Sequence, residues 1–247
     1  MEDVDNVSER EIRERKRDRL RRYARDPFEN GLGDLAKRAL SAAVMLAVAG
    51  IAFWLGGLWF DVFAVLVAAV VFNEFVGLVR LLDVSRGRKL AWIGFGAVYV
   101  GAAALALALL PLGVVAGVIA VVVATDTGAY FSGRTIGGPK IAPAISPSKT
   151  WAGLGGGALA AGVVSAASFA YNTGELRASV MLGIAFVIGA VLAVLAQAGD
   201  FFESWLKRRA GMKDSSNLIP GHGGFFDRTD GMLPVAIASY VLWNLHP

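Results

Sequence analysis

The chain has 247 residues, 55% of them hydrophobic and 18% charged, with a formal net charge of +4 and a mean hydropathy of +0.56. Apolar runs of about 20 residues recur, the length that crosses a ~30 Å hydrocarbon core, so the composition excludes an ordinary soluble domain. There are no cysteines, which excludes disulfides, thiolate metal sites and cysteine nucleophiles, and the positive charge reads as one basic face of a membrane protein, with no nucleic-acid partner.

Residues 1–37 form a charged tail without the apolar core of a signal peptide. Ser8 and Glu11 make a capping box, but Ile12, Leu20 and Tyr23 are too sparse for an apolar face. A solvated helix or disorder is expected, and the arginines from Arg13 to Arg25 offer an alternative, loose attachment to anionic lipid. Residues 38–247 are read as one all-α, polytopic transmembrane catalytic domain. About seven spans are predicted: Ala39–Leu55, Trp59–Leu81, Leu90–Leu110, Leu112–Phe131, Trp151–Tyr171, Val180–Ala198 and a short last one, Met232–Leu245. Arg80, Arg86, Arg88 and Lys89 follow span two; Arg134, Lys140 and Lys149 follow span four; Lys207 to Lys213 and Arg228 follow span six. Apart from Arg177 the opposite connections carry almost no basic residues, so the N-terminus and the three basic loops are expected in the cytoplasm. The expected location is the inner membrane of a bacterium, with the active site facing the cytoplasm.

The densest charge lies in GDFFESWLKRRAGMKDSSNLIPGHGGFFDRTD, residues 199–230. Span six is expected to continue as one helix through Arg208, which puts Asp200, Glu203, Ser204, Lys207 and Arg208 on one face and Phe202, Leu206 and Arg209 on the other. A simple i,i+4 salt bridge from Glu203 to Lys207 on a solvated helix end is the bland alternative. Beyond it, glycines surround His222, where amide N–H groups can approach an anion. Asp227 and Asp230, three apart, can share a helix face and bind Mg²⁺ through oxygen. His222 is a structural hydrogen-bonding group, a phosphate contact or a proton carrier.

A second cluster spans Asp126 to Trp151. Asp126 lies within span four, with Tyr130, Gly133 and Arg134 on the same face, and an intramembrane acid is a functional candidate. Ser146, Pro147, Ser148, Lys149 and Thr150 precede span five, where Pro147 suits a first helical turn and the helix start can hold phosphate; ordinary capping explains them equally well. Glu74, beside Asn73 in span two, is a third acid whose direction the sequence leaves open.

These segments resemble the CDP-diacylglycerol synthases, or phosphatidate cytidylyltransferases. The family's C-terminal pattern is matched at Ser204, Leu206, Lys207, Arg208, Lys213, Asp214, Ser216, Ile219, Pro220, His222, Gly223, Gly224, Phe225, Asp227, Arg228 and Asp230, and DTGAYFSGR and SPSKTW match upstream. The resemblance covers residues 39–247 and departs at Ala152 and Gly231, where the family commonly has Glu and Ser. It implies transfer of CMP from CTP to phosphatidate, in a membrane-embedded homodimer. The implied roles are cation binding for Asp200, Asp227, Asp230 and Asp126, with Mg²⁺ as the ion and two nearby cations as the fuller form. Lys207, Arg208, Lys213 and Arg228 are catalytic cations for phosphate. Arg134, Ser148, Lys149 and Ser204 bind substrate, and His222 with Gly223 and Gly224 shapes the phosphate pocket. A CTP-dependent polyprenol or dolichol kinase and an ion-coupled transporter are the competing readings; the transporter would need inverted repeats, which the sequence does not display.

Overall fold

The computed structural model describes residues 31–173, 180–219 and 221–245. The expectations for the tail before residue 31, and those touching Arg177, Pro220 and His246, lie outside the described residues. The elements are α1 (Gly31–Leu55), α2 (Gly57–Leu81), α3 (Arg86–Leu109), α4 (Leu112–Thr135), strands β1 (Lys140–Ala142) and β2 (Ser146–Thr150), α5 (Trp151–Thr173), α6 (Val180–Arg209), a one-turn α7 (Phe226–Thr229) and α8 (Met232–Asn244). Among the described residues, six helices are long and apolar enough to cross a membrane. The seventh, α8, has 13 residues and so spans only about 20 Å. It packs against α3, α4 and α6, with Leu233, Val235, Ala236 and Ser239 buried.

Lipid offers no hydrophobic drive to bring helices together, so close packing of small residues must do it. The closest pairs are α4 with α5 and α5 with α6. A Cβ added to Gly128 would stand 2.6 Å from the Gly156 carbonyl oxygen, and one on Gly189 would stand 2.5 Å from that of Ala161. No residue larger than glycine fits at these crossings without moving a backbone. α1 packs mainly along α2, touches the loop at His222 through Ser41, and is otherwise largely exposed along its apolar length.

Two apolar clusters fill the interior. Val115, Val118 and Val121 of α4 meet Ala161, Leu192, Ala193, Ala196 and Val235 in one. In the other, Phe75, Leu78 and Val79 of α2 meet Val100, Leu206 and Phe226. Phe226 stands edge-on to Phe75, ring centroids 6.0 Å apart, and so nails α7 and its loop to α2. Phe202 is ringed by Phe75, Trp92, Phe95, Tyr99 and Trp205, an aromatic cluster on this side of α6 beside Leu206.

Two expectations change. Pro147 does not begin a helix: Ser146–Thr150 is a strand paired antiparallel with β1, Lys140 opposite Thr150 and Ala142 opposite Ser146, and α5 starts at Trp151. A two-stranded sheet is all edge, which is where a proline without an N–H is tolerated. Thr150 does the capping, its Oγ1 accepting from the Gly153 amide at 3.0 Å. α1 also starts earlier than the first predicted span, reaching back to Gly31.

Candidate active site

The single helix through Arg209 arises as expected, and its polar face organises the basic end of the molecule. Glu203 is 1% exposed, so its bond from Lys207 Nζ at 2.6 Å is no surface salt bridge. Lys207 also donates to Asp227 Oδ1 at 2.5 Å, with its own side chain only 13% exposed. The other Asp227 oxygen accepts from the Ser215 amide at 2.9 Å, the Ser215 hydroxyl at 2.7 Å and the Gly224 amide at 2.8 Å. Burial works against ionising Asp227, but the neighbouring Glu203 carboxyl and the bonds from Lys207, Gly224 and Ser215 prevail and hold its carboxyl well below the usual carboxylate range.

Glu74 completes this assembly from the middle of the chain. Its buried carboxylate accepts from the Ser216 hydroxyl (2.6 Å) and the amides of Phe225 (3.1 Å) and Phe226 (2.7 Å), and lies 3.0 Å from the Ser215 hydroxyl, whose one proton it shares with Asp227. The acid whose direction the sequence left open therefore holds the C-terminal loop. Gly224 is needed here because a Cβ would lie 2.5 Å from Glu74 Oε2. Its amide is occupied by Asp227, so Gly224 shapes the loop and does not offer that N–H to a phosphate.

The backbone stays helical through Asp230, so Asp227 and Asp230 keep the one-turn spacing of a shared face, but their carboxyls have different partners: Asp227 bonds to Lys207, and the Asp230 carboxyl lies against that of Asp200. Burial first, then the Asp200 charge, raises the Asp230 carboxyl above its ordinary value, against a bond from the Gly231 amide. Asp200 is itself paired with Lys149 of β2, and Asp126 lies within electrostatic reach of both. The result is a row of carboxyl groups, Asp126, Asp200, Asp230, Glu203 and Asp227, answered by the ammonium groups of Lys149 and Lys207.

Beside this row, a cavity of ≈ 330 Å³ lies between α4, β2, α5 and α6. The predicted face of α4 lines it through Asp126, Tyr130, Gly133 and Arg134, joined by Ser148 and Lys149. Arg134 Nη1 donates to the Tyr130 hydroxyl at 3.1 Å. Gln197, buried in α6 and missed from sequence, also lines the cavity; a lone amide in the apolar run before Asp200 was the available signal. The remaining predicted residues sit outside it. Arg208 and Lys213 are exposed, and Ser204 is half-buried on the polar face of α6. Arg228 donates twice to the His222 carbonyl, at 3.1 and 2.7 Å, and His222 Nδ1 lies 2.9 Å from the Ser41 hydroxyl of α1.

Whether these acids suit a divalent cation is a matter of donor chemistry. All the candidates are oxygen donors, as hard cations require. Asp200 against Asp230 is the contact a cation would relieve. Among the described residues, no three of these acids converge closely enough to enclose an ion as they stand. Asp227 would have to exchange Lys207 to serve as a ligand.

Fold and site together define a polytopic helical membrane protein with a polar cavity at its basic end, lined by Asp126, Arg134 and Lys149 and flanked by a row of carboxyl groups. The chain belongs to the cytidylyltransferase family, whose model matches residues 90–246. It is 33% identical to the phosphatidate cytidylyltransferase of Brucella suis over 85% of this chain and 93% of that protein. The protein of the same name from Pseudomonas aeruginosa is 34% identical over 87% of this chain and 80% of its own length. That from Rickettsia bellii is 40% identical over 51% of this chain and 55% of its own.

Proposed function

We infer that this protein is a phosphatidate cytidylyltransferase, forming CDP-diacylglycerol and pyrophosphate from CTP and phosphatidate. What carries the reading is the row of acids from Asp126 to Asp227, flanked by Lys149 and Lys207, in a chain of this family. A lipid phosphate is already nucleophilic at neutral pH, so the site needs no serine or cysteine nucleophile. Its oxygen attacks the α-phosphorus of CTP, the bond from that phosphorus to the bridging oxygen breaks, and pyrophosphate leaves with the electron pair. Alignment and charge neutralisation are what such a step requires. Lys149, Lys207 and Arg134 supply positive charge, and the clamp on Glu74 and Asp227 fixes the loop around them. Asp200, Asp230, Asp126 and Asp227 are the residues that would hold Mg²⁺. When bound, the ion would neutralise phosphate charge and polarise the reacting phosphoryl group.

The site would face the cytoplasm of a bacterial inner membrane, where CTP is dissolved, and the enzyme would work as a homodimer. Radiolabelled CTP should enter a lipid-soluble product only when phosphatidate and Mg²⁺ are both present, with release of pyrophosphate. Release of CDP instead would identify a kinase. Cysteines introduced at the exposed Ser85 and Asn217 should react with an impermeant reagent only from the cytoplasmic side. Ser215, buried between Glu74 and Asp227, is unsuitable for this.

A further inference from the structure

Gln197 is 3% exposed, and its Nε2 has no hydrogen-bond partner among the described residues. A buried donor without an acceptor is unfavourable, and native proteins keep few of them. Gln197 is also part of the cavity wall. It lies three residues before Asp200 on α6, hence on a neighbouring part of the same face and about 4.5 Å further from the basic end. The cavity is therefore graded. Lys149, Arg134 and Asp126 supply charge, while Gln197, Leu154 and Ala129 give a wall that is neutral apart from one unsatisfied donor. Tyr130 forms another part of the wall and is 57% exposed on the helix surface that a bilayer would cover.

We propose that Gln197 reads the lipid substrate, its Nε2 donating to an ester carbonyl of phosphatidate while the phosphate lies among Lys149 and Arg134. This rests on the function proposed above. The match is one of chemistry and order. A diacylglycerol phosphate carries its charge at one end, neutral carbonyl acceptors a few bonds further on, and then hydrocarbon. From Lys149 at the basic end to Gln197 deeper along α6, the cavity offers the first two of these in the same order, a cation and then a neutral donor. A phosphate oxygen beside Gln197 would find no cation on that residue, and an apolar chain there would leave the amide unpaired. Gln197 is thus a specificity determinant separating acyl esters from lipids that lack the carbonyl.

The test compares dioleoyl phosphatidate with its dialkyl-ether counterpart, presented in the same detergent micelles, using wild type and Gln197→Met. Wild type should favour the ester by roughly tenfold in kcat/KM, the effect of one well-placed hydrogen bond. In Gln197→Met the preference should fall to near unity through a higher KM for the ester, with the KM for CTP within about twofold of wild type. Equal use of ester and ether by wild type overturns the proposal without any variant. A preserved ester preference in a folded Gln197→Met protein overturns it too, as does a change confined to the KM for CTP, which would assign the amide to the nucleotide. A wild type with no turnover that depends on both CTP and phosphatidate would instead overturn the function on which the proposal rests.

Discussion

The two lysines of the site sit in opposite circumstances. Around Lys207 most groups are bonded: two carboxyl groups hold its ammonium group, Asp227 and Glu74 each accept several further hydrogen bonds from the loop, and Glu203 Oε1 alone has no partner among the described residues. Around Lys149 there is one partner, Asp200, which also faces two other acids and a cavity with an unpaired amide in its wall. A satisfied buried network fixes geometry, because moving any member strands the others in a low dielectric. An unsatisfied one is held ready for something else. The Lys207 region is therefore the frame, and the Lys149 region is where a ligand is received.

The largest effect should come from the acids. Asp200→Asn and Asp227→Asn should each lower turnover on the order of a thousandfold or more in protein that still inserts and folds, measured by CDP-diacylglycerol formation. The two differ in what accompanies the loss. If Asp227 exchanges Lys207 for a cation, its Asn variant should need more Mg²⁺; an unchanged Mg²⁺ dependence with a lowered melting temperature would leave it purely in the frame.

Glu74→Gln comes next and tests the frame alone. The carboxamide sets an NH₂ group against hydroxyl and backbone donors, at about 1–3 kcal/mol for each buried group left unpaired. The melting temperature in detergent should fall by roughly 5 °C or more, and activity should drop with it. An unaltered melting curve would deny Glu74 its place in the loop.

Lys149→Met should act the other way round. It removes the one partner of Asp200 in a half-open site, so the melting temperature should stay nearly constant while the KM for a phosphate-bearing substrate rises about tenfold, consistent with a lost charge-assisted contact. A large loss of stability with unchanged KM would move Lys149 into the frame. Asp61→Asn and removal of residues 1–30 should be smallest, each within about twofold of wild-type activity. Asp61 lies 13 residues from Glu74 along α2, about 20 Å from the loop that Glu74 holds. A tenfold loss in a folded protein lacking residues 1–30 would mean that the tail contributes to the site.

Much of this was readable before any coordinates. Asp126, Tyr130, Gly133 and Arg134 were expected on one face of α4 and do line one cavity, because helical periodicity is a local property. The polar stripe on α6 opposite Phe202 and Leu206 follows from the same rule. The motif around His222 was legible as a pattern, but not its internal contacts. Spacing put Asp227 and Asp230 on one helical turn, which the backbone keeps; which partner each meets, Lys207 for one and Asp200 for the other, depends on what α6 presents to them.

By itself the sequence determined the helices, their approximate ends, the basic side and the kinship of the loop, since each depends on hydrophobic length, period or residue order within one segment. Tertiary structure decided which acids belong to the frame and which to the cavity. Glu74 meets Ser215 across 141 positions and Lys149 meets Asp200 across 51. No local period encodes such partnerships; they arise where glycine-lined helix crossings bring distant segments close enough to share a proton donor.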